Sequence, residues 1–246
     1  RSFHVTGVQT CALPISVLGL RRTANLVGAL VIRRAFPSSL NPGMARFWRD
    51  SSRDAQAAAD LAPAVRRIEA DEARTFSLLR RCGMAVLLAR FRDYEDMLDL
   101  AATAPGEQVL QVENGRYGTN HAEVGHALAL RWMLPGDLAA AIRWQYVPED
   151  FVAAGEADPG ASHGSSLSMI CFGLLLDQVL ALRSGGGILR DWSRYEARVL
   201  DCLAVTPDSI VEMIRHEPDD ACMEAEAERD RKSTRLNSSH VKRSRM

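Results

Sequence analysis

Apolar residues recur at intervals of three and four along almost the whole chain, and nowhere do they alternate over a run bounded by turn residues. That pattern predicts helices throughout and no sheet. The first predicted helix, Leu18–Phe36, is stopped by Pro37 and the polar stretch PSSLNPG. Ala45–Ile68 follows, with Pro63 kinking it or ending it early. Between Glu72 and Leu100 the residues Phe76, Leu79, Val86, Leu87, Phe91, Tyr94 and Leu98 share one broad face, and Gly83 is the predicted break into two shorter helices. Gln108–Gly115 reads as a short helix ending in the turn NGRYG. Thr119 or Asn120 then caps a helix through Trp132, and Pro135 opens the next, Gly136–Tyr146. Ala153–Ser166 is rich in Gly, Ser and Ala and reads as a loop, whereas Leu167–Arg183 is apolar on most faces and is predicted to be a central buried helix. SGGG at Ser184–Gly187 stops it; Asp191–Leu203 and a helix from Thr206–Pro207 through Ile214 complete the pattern. Beyond His216 the composition turns acidic and irregular, and no internal repeat is visible.

The two ends of the 246-residue chain carry an unusual relation. Val5–Ile15 (VTGVQTCALPI) can be encoded by a DNA string whose reverse complement translates as DRKSTRLNSSH, the residues Asp230–His240. Unrelated natural termini would not be complementary over eleven codons. The string resembles a sequencing adapter, and both lysines, Lys232 and Lys242, lie in the C-terminal end that begins with its second copy, Asp230–Met246. The expected organisation is therefore an adapter-derived end at 1–15, a helical domain at 16–217, an acidic tail or linker at 218–229 and a second adapter-derived end at 230–246.

Setting the ends aside changes the charge. They hold seven of the 30 basic and one of the 31 acidic residues, which leaves Ser16–Arg229 with a net charge near −7. Such a surface repels phosphate backbones, so nucleic acid is not an expected partner, and the basic run at the C-terminal end is not read as a binding tail. Cys82, Cys171, Cys202 and Cys222 show neither a CxxC nor a zinc spacing and read as buried reduced thiols, which implies a cytoplasmic compartment. The apolar run Met169–Leu176 is too short to span a bilayer and ends at Asp177, so no membrane segment is expected.

Motifs alone do not name a chemistry. The interior histidines are His121, His126, His163 and His216, and the pair in HAEVGH is spaced by five, not by the four that puts two imidazoles on one helical face. No GxSxG elbow, Walker loop or dinucleotide fingerprint is present. Trp48, Trp132, Trp144 and Trp192 read as core or groove aromatics, Gly125 as a close helix contact and Glu123 as a solvent-facing or capping residue.

The run ENGRYGTNHAEVGHALALRWMLPGDLAAAIRWQYVPED, Glu113–Asp150, resembles the later part of an HDOD domain, with a glutamate before a glycine turn, HAEVG, and a tryptophan–x–x–proline step into a helix. VLGLRRTANLV, FWRDSSRDAQAAADLA, ARTFSLLRRCGMAVLL and LLLDQVLALRSG resemble other family helices in the same order, over roughly Val17–Ile214. The resemblance implies a single all-α, HD-like domain whose opening helices are missing, from a bacterium. It also places the chain near the HD metal phosphohydrolases, in which His and Asp side chains gather divalent cations that activate water.

Carried over position by position, the metal ligands are largely replaced. Asp50 stands at the first His position, Arg80 and Arg81 at the paired His-Asp, and Gln145 and Tyr146 at the later paired histidines; His121 and Asp177 remain. Arginine stays protonated and offers only donors, so it cannot be a ligand. Three readings of Asp50, Arg80, Arg81, His121, Gln145, Tyr146 and Asp177 stay open. The arginines pair with Asp50 and Asp177 and hold helices together, or Arg80 and Arg81 receive a phosphate or carboxylate of a small ligand, or Asp50, His121 and Asp177 form a three-ligand metal site. The resulting expectation is a non-catalytic, cytoplasmic signal-transduction domain without cofactor or metal, acting through protein partners, with room for an anionic ligand. The alternatives are a divergent HD-type metal-dependent phosphodiesterase acting on nucleotides and a scaffold with no ligand.

Overall fold

The computed structural model describes residues 30–156 and 163–215. Both predicted adapter-derived ends, the tail, most of Leu18–Phe36, the centre of the predicted loop Ala153–Ser166, and Cys11, Cys222 and His216 lie outside the described residues. Within them every regular element is helical, as the periodicity predicts. After helical residues 30–35 the order is α1 (Pro42–Leu61), α2 (Ala70–Leu79), α3 (Cys82–Arg90), α4 (Glu95–Thr103), α5 (Gly106–Tyr117), α6 (His121–Arg131), α7 (Gly136–Arg143), α8 (Pro148–Glu156), α9 (His163–Arg183), α10 (Arg190–Leu203) and α11 (Pro207–Arg215).

Local chemistry sets most of the boundaries. Asn41 Oδ1 accepts from the Met44 amide at 2.7 Å and Pro42 occupies the first turn, so α1 begins there. Its far end tightens into a 3₁₀ turn at Ala62–Ala64 around Pro63, seven residues before the predicted Ile68. Gly118, at φ +71°, closes α5 in the left-handed region where a side chain would be strained. Asn120 Oδ1 then accepts from Glu123 N at 2.9 Å and starts α6. Ala153 is helical, in α8, and α9 begins at His163, so the loop is shorter than the composition suggests.

The stretch Glu72–Leu100 is three helices, not two, and its first break falls at Arg80–Arg81 rather than at Gly83. The physical reason is a crossing. A Cβ built on Gly83 would stand 2.0 Å from the His121 carbonyl oxygen and 2.8 Å from the Gly125 amide, so Gly83 is where α3 passes against α6 with backbone touching backbone. The helix therefore turns before that contact, and the Arg80 carbonyl left over at the turn accepts from Gln145 Nε2 at 2.7 Å.

Helix α9 is the centre of the domain and packs against α1, α2, α7, α8, α10 and α11. Met169, Ile170, Cys171, Phe172, Leu175, Leu176 and Val179 are all buried in one continuous core with Phe76, Leu79, Ile142, Trp48 and Trp192. Burying apolar side chains of this kind is worth about 1.5–3 kcal/mol each before conformational entropy is counted. By length and composition Gly164–Arg183 could cross a membrane, which the shorter run Met169–Leu176 does not suggest. Since 67% of that window is buried inside the domain, it is the core helix of this fold.

Candidate functional site

Two polar clusters interrupt this core. The first is centred on Asp177, in the C-terminal half of α9. Arg80, only 2% exposed, grips its carboxylate with both terminal nitrogens: Nη1 donates to Oδ2 at 2.8 Å and Nη2 to Oδ1. Nη1 also reaches the Gly173 carbonyl at 3.3 Å. Arg81 Nη2 donates to the same Oδ1 at 3.2 Å, and its Nη1 stands 3.6 Å from Asp54 Oδ2. Burial alone would raise the Asp177 pKa, but the two guanidinium groups outweigh it and hold the carboxyl below its ordinary range. For Arg81 burial opposes the charge, and Asp177, Tyr146 and Asp54 together raise the pKa nonetheless.

The second cluster joins α5 to α6. His121 is fully buried; its Nδ1 lies 2.9 and 2.8 Å from the two oxygens of Glu113, itself fully buried, and its backbone amide donates to Glu113 Oε2 at 2.8 Å. Tyr94 Oη donates to Glu113 Oε1. On the other side His121 Nε2 faces Tyr146 Oη at 3.1 Å. Burial would raise the Glu113 pKa, and the bonds from His121 and Tyr94 bring it below the ordinary value. Burial, reinforced by Glu113, pushes the Tyr94 phenol up. Arg81 also interacts with Tyr146, so the polar chain runs from Asp177 through Arg81, Tyr146 and His121 to Glu113 and Tyr94.

Of the sequence-predicted residues, the structure brings together Arg80, Arg81 and Asp177, with His121 and Tyr146 one link away. Gln145 serves the Arg80 carbonyl and the Ile142 carbonyl, at 2.7 and 2.9 Å. Asp50 is displaced from this group: its carboxylate faces Arg46 and Arg49, at 3.7 and 3.8 Å. The expected Asp50 partnership with the arginines is instead made by Asp54, one helical turn further along α1. Asp54, Glu113 and Tyr94 are thus the residues that sequence reasoning did not place in the site. Asp54 shares a helix face with Asp50, and Glu113 opens the run that carries the resemblance, but nothing around Tyr94 signals its role.

Asp50, Asp54, Ser77, Arg81, Tyr146 and Asp177 line a cleft of about 1010 Å³ together with Pro105, Gly106, Asp191 and Trp192. Ser77 Oγ and Arg81 Nε on this wall make no hydrogen bond among the described residues. As a metal site the donors do not fit. Asp177 is committed to two guanidinium groups, both ring nitrogens of His121 face Glu113 and Tyr146, and Asp50 lies with Arg46 and Arg49. Among the described residues no three His, Cys, Asp or Glu side chains converge as a cation would require.

The profile of the HDOD domain matches residues 4–148, more than half of the chain. A similar solved structure is that of the MmoQ response regulator from Methylococcus capsulatus str. Bath, at 18% identity and a TM-score of 0.48, covering 70% of this chain. This chain spans 62% of that one. No curated protein matches the sequence. The family match points to a regulatory or signalling domain, and on its extent the chain belongs to the HDOD domain family.

Proposed function

We propose that this domain is a non-catalytic bacterial signalling module that works in the cytoplasm through contacts with protein partners. The observation that supports it best is the clamp of Arg80 and Arg81 on Asp177. Positive charge is fixed where an HD-type hydrolase needs a cation, and the carboxylate left at the site already has its counter-charge. What the clamp provides is a rigid joint between the α2–α3 turn and the central helix, a frame on which surface helices can be presented to a partner. The test is a phosphodiesterase assay on nucleotide substrates with added Mn²⁺, alongside metal analysis of the purified chain. The expected result is neither turnover nor stoichiometric metal; turnover that disappears in His121→Ala would replace this reading with that of a divergent metal-dependent phosphodiesterase.

A second reading is favoured by one observation, the unpartnered Arg81 Nε and Ser77 Oγ on the wall of a large cleft. In it, Arg81 takes a phosphate or carboxylate of a small ligand that biases the surface seen by the partner. Asp54 and Asp177 compete for the same guanidinium, so binding would be weak. A nucleoside monophosphate should then raise the melting temperature of the intact domain and leave that of Arg81→Ala unchanged; no shift in either would remove the ligand from the account.

A further inference from the structure

Three residues that line the cleft each leave a polar atom without a hydrogen bond. Ser77 lies in the last turn of α2 and Asp54 on α1, which packs against α2, while Arg81 follows Ser77 by four positions. Ser77 is 3% exposed and Asp54 7%, yet Ser77 Oγ, Asp54 Oδ1 and Arg81 Nε make no hydrogen bond among the described residues. Arg53 Nη2, 3.6 Å from Asp54 Oδ1, stands too far away to donate one. A buried polar group in this state costs stability, and three residues that carry one meet at a single cleft.

The groups around them are committed. Both oxygens of Asp177 accept from Arg80, and Oδ1 also from Arg81. Asp191 Oδ2 accepts from the Gly106 amide at 2.8 Å, and Arg46 Nη1 lies 2.6 Å from Asp99 Oδ1. Charge then narrows the class of ligand. Arg80 and Arg81 are matched by Asp177 and Asp54, so a full charge of either sign added at this depth would meet no counter-charge of its own. What stays open is an acceptor at Asp54 Oδ1, a donor at Arg81 Nε, and at Ser77 Oγ a group that serves as either. An amide whose N–H and C=O lie on the same side complements that set without charge. Open-chain secondary amides hold the two on opposite sides, which leaves primary carboxamides and ring lactams. The rest of the cleft suits an apolar body: Leu98, Ala101, Leu174, Leu180 and Ile188 line it, and Ile188 is 71% exposed.

We propose that the cleft binds a neutral small molecule by such an amide edge. Its N–H donates to Asp54 Oδ1, its C=O accepts from Arg81 Nε and from the Ser77 hydroxyl, and its apolar body covers Ile188. This rests on the second reading above only in placing a small ligand against Arg81; the ligand here is uncharged, where that one is an anion.

The test follows the melting temperature of the full chain with benzamide for the primary amide and isoquinolin-1-one for the ring lactam. A rise that grows with concentration is expected from one or both, which tells the two sources apart, and none from 2-methylisoquinolin-1-one, which has lost the N–H. Ser77→Ala should melt no lower than the wild type without ligand, because the hydroxyl it removes has no partner, and should bind the amide about fivefold more weakly. The wild-type measurements do not depend on that variant. No shift with either amide, an equal shift with the N-methyl compound, or undiminished affinity in Ser77→Ala overturns the proposal. Stabilisation by a nucleoside monophosphate but by neither amide overturns it while leaving the second reading standing, and stabilisation by an amide alone does the reverse.

Discussion

Around Asp177, two arginines crowd one carboxylate at the edge of an open cleft, and a second carboxylate, Asp54, is recruited to balance them. Around Glu113, a carboxylate is sealed among an imidazole and a phenol with no exposure at all. Both clusters bury charge, but the first does so with full ionic partners and the second with a web of shorter-range bonds to groups that are themselves buried. The comparison teaches that loss of charge should be felt most where a fixed cation is left behind. A guanidinium cannot shed its proton to escape burial, whereas an imidazole can.

Asp177→Ala should therefore have the largest effect, about 3–5 kcal/mol of unfolding free energy, because Arg80 remains buried without its counter-charge. Chemical denaturation measures this directly, and a loss under about 1 kcal/mol would mean that the clamp is not a structural joint. Glu113→Gln keeps shape and volume but exchanges a charged acceptor for a neutral one, and should cost about 1.5–3 kcal/mol by the same measurement. A cost equal to that of Asp177→Ala would erase the distinction between the two clusters.

Acid should reach both sites together. Asp177 and Glu113 have folded-state pKa values below those of the unfolded chain. Their contributions are thus complete above the unfolded carboxylate value and fall away as pH drops through the lower folded values. A melting temperature followed from neutral pH downward should fall steeply in the wild type and less so in Glu113→Gln; parallel curves would argue against linkage at Glu113. The smallest expected change is Tyr146→Phe, about 1 kcal/mol, since it removes one hydroxyl that faces His121 and interacts with Arg81.

How much of this could be read beforehand varies with the kind of signal. Periodicity gave the all-helical class, and Asn120 and Pro135 marked their helix starts because capping is a property of a few adjacent residues. Asp177 and the arginine pair were visible through the family pattern. Asp50, aligned with the first His position of the family, stands one turn from Asp54 on α1, and a pattern of letters does not say which turn lies level with Arg81. Gly83 looked like a helix break because glycine usually weakens a helix; its actual use, a crossing with α6, depends on residues some forty positions away. Tyr94 is hidden for the same reason, since its role is defined only by what a distant helix brings to it.

That crossing also governs how the two clusters communicate. With hydrogen in place of a side chain at position 83, α3 can sit against the first turn of α6, and Arg81 lies just two residues upstream of the contact while His121 supplies its opposing carbonyl. The spacing between α3 and the first turn of α6 is thus gauged by an atom that is missing rather than by one that is there. Adding a single methyl group would wedge the pair of helices apart at their narrowest point, and the guanidinium and the imidazole would be separated before either had been altered chemically.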